Sequence, residues 1–140
     1  MVLELIHEQQ KTNPSLLFAY GKIEEAKLAN ELQKINYKFP NELIGFWKEF
    51  GGGDLFETET ILSPFPIANE FIYDIQTINQ FHYSIGLDKN YIIFQENGSQ
   101  MTAFDKQTNA LVVLSKEDYS IENKFDNFEN WFDYFWKVNS

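Results

Sequence analysis

Tyr91-Ile92-Ile93-Phe94-Gln95-Glu96-Asn97-Gly98-Ser99-Gln100-Met101-Thr102-Ala103-Phe104 is the stretch that decides the fold. Two apolar runs flank Asn97-Gly98, the strongest short hairpin signal, because both turn residues tolerate positive φ. Lys106-Gln107-Thr108-Asn109 makes a second turn, and Ala110 to Leu114 supplies a third apolar run. The pattern predicts a three-stranded antiparallel meander over residues 91–114.

Working outward, helical spacing appears on both sides of this meander. Over residues 23–35, Leu28, Leu32 and Ile35 fall at i, i+4 and i+7 in a run of helix formers. Pro40 opens a second helix over about 40–50, where Leu43, Phe46, Trp47 and Phe50 make an amphipathic stripe. Gly51-Gly52-Gly53 ends it, since glycine enters the left-handed conformation freely. Leu55 to Leu62 alternates as one half-buried strand, with Glu57, Glu59 and Ile61 on one side. Ser63-Pro64-Phe65-Pro66 reads as a loop, and residues 73–83 contain a helix with a moderate stripe of Ile72, Ile75, Ile78 and Phe81.

At the chain's end, Asp126 and Glu129 fit a capping box. Phe128, Trp131, Phe132, Phe135 and Trp136 then form the aromatic face of a last helix, a lid for one sheet face. Val2 to Gln10 is a short helix that stops at the Asn13-Pro14 turn. Helices, then strands, then a helix, without βαβ repetition, predict an α+β fold with a mostly antiparallel sheet. No repeat or linker interrupts the 140 residues, so one domain over 1–140 is expected, with 1–20 as an N-terminal segment.

Composition narrows the function. Apolar residues make up 44% of the chain, with 14 Phe, 7 Tyr and 3 Trp, which is core material that a disordered chain lacks. There is no cysteine, which excludes disulfides, thiolate nucleophiles and Cys-ligated zinc. No apolar run approaches a membrane span, and the N-terminus lacks a signal-peptide pattern, so a soluble cytoplasmic protein is expected. All 11 basic residues are lysine and the net charge is −10. Nucleic-acid binding, which leans on cationic phosphate contacts, is therefore not expected.

The charge is concentrated. Residues 49–88 hold Glu49, Asp54, Glu57, Glu59, Glu70, Asp74 and Asp88 and no lysine. A solvated acidic face that keeps the protein soluble is the commoner meaning of such a run. The alternative is a docking face for a basic partner. Asp54, Glu57, Glu59, Glu70, Tyr73 and Asp74 are its candidate contact residues, provided they are exposed.

Catalytic readings fare poorly. His7 and His82 are the only imidazoles; His7 lies near a terminus expected to be mobile and His82 sits between Phe81 and Tyr83. No Gly-x-Ser-x-Gly elbow occurs. Glu57 and Glu59, about 7 Å apart on one strand face, could in principle flank a glycosidic bond or hold a metal. Such a pair is far more often the wet face of an edge strand, and no His or Arg stands nearby. The triple glycine follows a helix instead of opening one and lacks Lys-Ser/Thr, so it is not a phosphate loop. Asp88-Lys89-Asn90 begins like a calcium loop, but Ile92 and Ile93 occupy positions that need a ligand and a glycine. No catalytic residue, metal site or cofactor is expected.

Phe39-Pro40-Asn41-Glu42-Leu43-Ile44-Gly45-Phe46-Trp47-Lys48-Glu49-Phe50-Gly51-Gly52-Gly53-Asp54 resembles the signature of the SUKH superfamily. In that pattern Leu-Pro opens a short helix with a bulky apolar pair, and Asn-Gly-Gly closes it. Pro40, Leu43, Phe46, Trp47, Gly51 and Gly52 stand at the matching places. Tyr91 to Phe94, Gly98 and Ala103-Phe104-Asp105 resemble the family's central hairpin, and residues 125–135 its closing helix. The resemblance spans about residues 22–137. Phe39 replaces the usual leucine and Phe50 an asparagine, so no role of that asparagine carries over. The resemblance implies a non-enzymatic α+β binding domain, either an immunity protein that neutralises a cognate toxin domain, often a nuclease, or a regulatory module like the yeast regulator of glucan synthesis.

Overall fold

The computed structural model describes residues 1–67 and 74–140. Its order is α1 (Val2–Gln10), β1 (Leu17–Ala19), α2 (Glu25–Gln33), α3 (Asn41–Phe50), β2 (Gly53–Leu55) and β3 (Glu59–Ile61). There follow α4 (Ile75–Ser84), β4 (Tyr91–Glu96), β5 (Gln100–Asp105), β6 (Leu111–Ser115), β7 (Ile121–Phe125) and α5 (Phe128–Asn139). The strands form one antiparallel sheet in sequence order, β1 to β7. The fold is α+β, as expected.

The runs at 92–94, 101–104 and 111–114 are buried at every position, which is why they read as continuous apolar segments instead of alternating ones. Phe94 and Phe104 pack with tilted rings on one sheet face, 4.7 Å between centroids. Onto this pair close Phe39 at 5.7 Å from Phe104 and Trp131 of α5 at 5.0 Å from Phe94. Trp47 joins edge-on to Phe39 at 5.0 Å, and its indole N–H donates to the Leu62 carbonyl at 2.8 Å. That bond satisfies the one polar atom of the largest fully buried side chain. α1 packs on α3, where the Glu42 carboxylate accepts the Val2 N–H and His7 meets Glu49 at 2.6 Å. His7 is thus held in a helix, where a mobile terminus was expected.

The motif glycines have a steric reason. Gly51 ends α3 at φ 74°, and a Cβ there would lie 2.0 Å from the Gly21 carbonyl oxygen. At Gly52, φ 108°, a Cβ would lie 2.9 Å from the Ile61 carbonyl oxygen. The chain leaves α3 by passing directly over neighbouring backbone, so only glycine fits.

Several local expectations are corrected. The single strand over 55–62 is two strands, β2 and β3, folded back through Phe56-Glu57-Thr58 with Phe56 at φ 53° and Glu57 at φ 68°. Glu57 and Glu59 therefore do not share a strand face. The hairpin at Asn97-Gly98 exists, but neither residue has positive φ. Instead the Asn97 side chain accepts the N–H groups of Ser99 and Gln100, an Asx-type closure. α5 is capped by Asn127, whose side chain accepts from Asn130, and not by Asp126. β1 and β7 extend the meander at both edges beyond what periodicity predicts.

Candidate binding surfaces

The two faces of the sheet offer different chemistry, one along β1–β4 and the other across β3–β7. One cross-strand row runs in register through Phe18, Asp54, Thr60 and Glu96. Phe18 is 70% exposed and the other three are half-buried. The Asp54 carboxylate accepts from the hydroxyls of Thr60 at 2.7 Å and Tyr20 at 3.1 Å. Burial, and then the Asp54 charge, push the Tyr20 phenol far above its usual range, so it stays a donor. Glu96 pairs with Lys116 at 3.4 Å. This row is an accessible, net acidic strip with an aromatic end.

The opposite face meets α5 around a cavity of about 310 Å³. Two β-bulges shape it. In β4, Ile93 faces Ala103 while Gln95 faces Thr102, leaving Phe94 as the extra residue. In β7, Val113 faces Asn123 while Leu114 faces Ile121, leaving Glu122 as the extra residue. A bulge re-aims the side chains beside it, and here Gln95 and Glu122 both line the cavity. Glu59 is only 6% exposed and sits at its wall, accepting from Thr58, from Asn97 at 3.1 Å and, longer, from Gln95 at 3.4 Å. The Thr102 hydroxyl donates to Gln95 at 2.6 Å, which fixes the orientation of that amide. Trp131, Tyr134 and Phe135 close the α5 side.

The expected contact residues are distributed over this frame. Asp54 lies on the outer strip and Glu57 is exposed at the β2–β3 turn. Glu59 is buried on the cavity side of the sheet. Asp74 is 3% exposed and caps α4 by accepting the Thr77 N–H at 3.0 Å. Glu59 and Asp74 thus do not meet the condition of exposure, and Glu70 and Tyr73 lie outside the described residues. Tyr20, Glu96, Gln95 and Glu122 were not singled out from sequence, because their placement depends on register and bulges. His82 is 9% exposed and meets the Tyr119 hydroxyl at 2.7 Å. Among the described residues no group of three or more His, Asp or Glu is placed to hold a metal ion. No described helix is long and apolar enough to cross a membrane.

Comparison with curated proteins gives no match. A family model does match, over residues 22–134. That span runs from just before α2 into α5, taking in the α3 glycine exit, the whole meander and both bulges. The chain belongs to the SMI1 / KNR4 family (SUKH-1).

Proposed function

We propose that this protein is a single-domain, non-enzymatic binding module of the immunity type, which neutralises a basic, nuclease-like toxin domain by covering its functional surface. The observation that carries this reading is the concentration of acid in a SUKH-family chain: residues 49–88 contain seven carboxylates and no lysine. Within that segment Asp54 and Glu57 are the accessible candidates, and Glu96 extends the strip across the sheet. An acidic strip facing a basic partner accelerates encounter by long-range steering, an effect that weakens as salt rises. The exposed Phe18 beside Asp54 supplies an aromatic anchor of the kind that holds a complex after encounter.

Calorimetric titration against the inactivated C-terminal domain of a toxin, where one is encoded next to this gene, tests the reading at low and high salt. Saturable one-to-one binding that weakens with salt supports it. Tight binding insensitive to salt retains the immunity role and moves the contact to apolar surface. Absence of binding favours the second reading that family membership supports, a regulatory or scaffold module with an endogenous partner. Gene neighbourhood separates the two: an adjacent large secreted protein with a variable C-terminal domain favours immunity.

A further inference from the structure

We infer that the cavity between α5 and the sheet is a receptor for a single organic cation, an alkylammonium or guanidinium group. The inference stands apart from the identity of any toxin. Its starting point is the carboxylate of Glu59. Only 6% exposed, it is held solely by neutral donors, the amides of Asn97 and Gln95 and the hydroxyl of Thr58. No lysine, histidine or terminal ammonium forms an ion pair with it among the described residues. No basic residue lines the cavity.

A buried carboxylate without a counter-charge is costly, and proteins usually pair it. Here the space beside it is open: about 310 Å³, at the lower end of the range for small-ligand pockets. A second carboxylate, Glu122, is brought to the same cavity by the β7 bulge, where Gln100 donates to it at 3.4 Å. The remaining walls are aromatic and amide. Trp131, Tyr134 and Phe135 offer ring surface to a cation, and Gln95 is locked by Thr102 so that its amide N–H group points to Glu59. An anion would meet two carboxylates, and a purely apolar ligand would leave the Glu59 carboxylate without a counter-charge. The composition of the walls therefore selects a positive, hydrogen-bonding head on a short apolar stem. Val138, 63% exposed, lies on the α5 side of the cavity lining.

Such a head has two sources, a free small amine or the side chain of a lysine or arginine presented by a protein. NMR titration of the full chain with n-butylammonium, and with n-butanol as the uncharged isostere, tests the shared chemistry. The expected result is saturable shifts of the Gln95 and Asn97 side-chain amides and the Trp131 indole with the cation only. Glu59→Gln should weaken binding at least tenfold while leaving the unliganded protein about as stable as the parent, because the amide keeps an acceptor for the Asn97 and Gln95 donors and the change removes a buried carboxylate that has no ionic partner. Val138→Trp, an exposed substitution that does not touch Glu59, should narrow the cavity and weaken binding several-fold, and serves if Glu59→Gln fails to fold. Nα-acetyl-lysine methylamide and cadaverine then separate the sources: preference for the blocked lysine indicates a protein side chain, preference for the diamine a free amine. Equal shifts with butanol, no saturable shifts, or unchanged affinity in both variants would overturn the inference.

Discussion

The side chain of Asn79 hydrogen-bonds both backbone groups of Ile93, accepting its N–H at 2.8 Å and donating to its carbonyl at 2.9 Å. β3 pairs with β4 only at Gln95 and Glu96, so the first half of β4 has no strand on that side. α4 fills the place. Asn79 and Tyr83, at i and i+4 on one helix face, bond Ile93 and the Tyr91 carbonyl in turn. One helix thereby completes a sheet edge that would otherwise leave buried peptide groups unpaired.

Replacing Asn79 by alanine should therefore cost far more than one lost surface bond. Ile93 is fully buried, so its N–H and C=O would both be stranded, at about 1–3 kcal/mol each. Tyr83→Phe, which removes a single partner, should cost about 1 kcal/mol. Urea denaturation measures both. An Asn79→Ala cost no larger than that of Tyr83→Phe would show that water or a shifted helix replaces the amide.

Gly51→Ala should be among the most damaging small substitutions in the chain. The left-handed φ of 74° alone strains an alanine by about 1–3 kcal/mol, and its Cβ would collide with the Gly21 backbone. Gly98→Ala, where φ is not left-handed and nothing lies within 4 Å, should change stability by less than about 0.5 kcal/mol. Similar midpoints for the two variants would remove the steric account of the family's glycines.

Those glycines were legible because Gly-Gly-Gly after an amphipathic stripe has one common meaning. The meander was legible for a similar reason: its three inner strands are buried on both faces and carry apolar runs interrupted only by Thr102. β7 was not, because its residues Ile121-Glu122-Asn123-Lys124-Phe125 sit on an edge and are largely exposed, so burial leaves no pattern in them. The β2–β3 turn was hidden by its residue types. Phe and Glu rarely adopt positive φ, and the alternation of 55–62 continues smoothly through them. That one missed turn also misplaced the acids, since it separates Glu57 at the tip from Glu59 in the wall of the cavity. The bulges at Phe94 and Glu122 have no sequence signature at all, so the cavity could only be seen in three dimensions.

The same turn yields opposite effects from two glycine substitutions. Glu57→Gly relieves the left-handed strain of an exposed residue and should raise stability by about 0.5–1 kcal/mol, net of glycine's added chain entropy. Phe56 has the same backbone strain, but its ring packs against Trp136 at 5.2 Å and Phe135 at 6.1 Å. Phe56→Gly should lower stability by about 1–2 kcal/mol, because lost packing outweighs relieved strain. Thermal melts that move the same way for both variants would contradict this division. If Glu57 also contacts the partner, the Glu57→Gly protein will be more stable and bind less well.

His82 predicts a specific acid dependence. Burial is the main cause that lowers its pKa below the ordinary 6.5, with nearby Lys116 acting in the same direction and Glu96 opposing it. The Tyr119 phenol, itself pushed up by burial, is suited to donate to the unprotonated Nδ1 at 2.7 Å. The folded state thus holds the ring neutral, while the unfolded chain protonates it near 6.5. Between that value and the lower folded one the unfolded state binds more protons, so stability falls as pH falls. The contribution is complete above about pH 7 and is lost as pH drops through the folded value. Other carboxylates also titrate in acid, so the measurement is a difference: denaturation of the parent and of His82→Gln from pH 7.5 to 5. The parent's advantage should be constant at the upper end and shrink below 6.5. Parallel curves throughout would mean that the ring is as easily protonated in the folded protein as in the open chain.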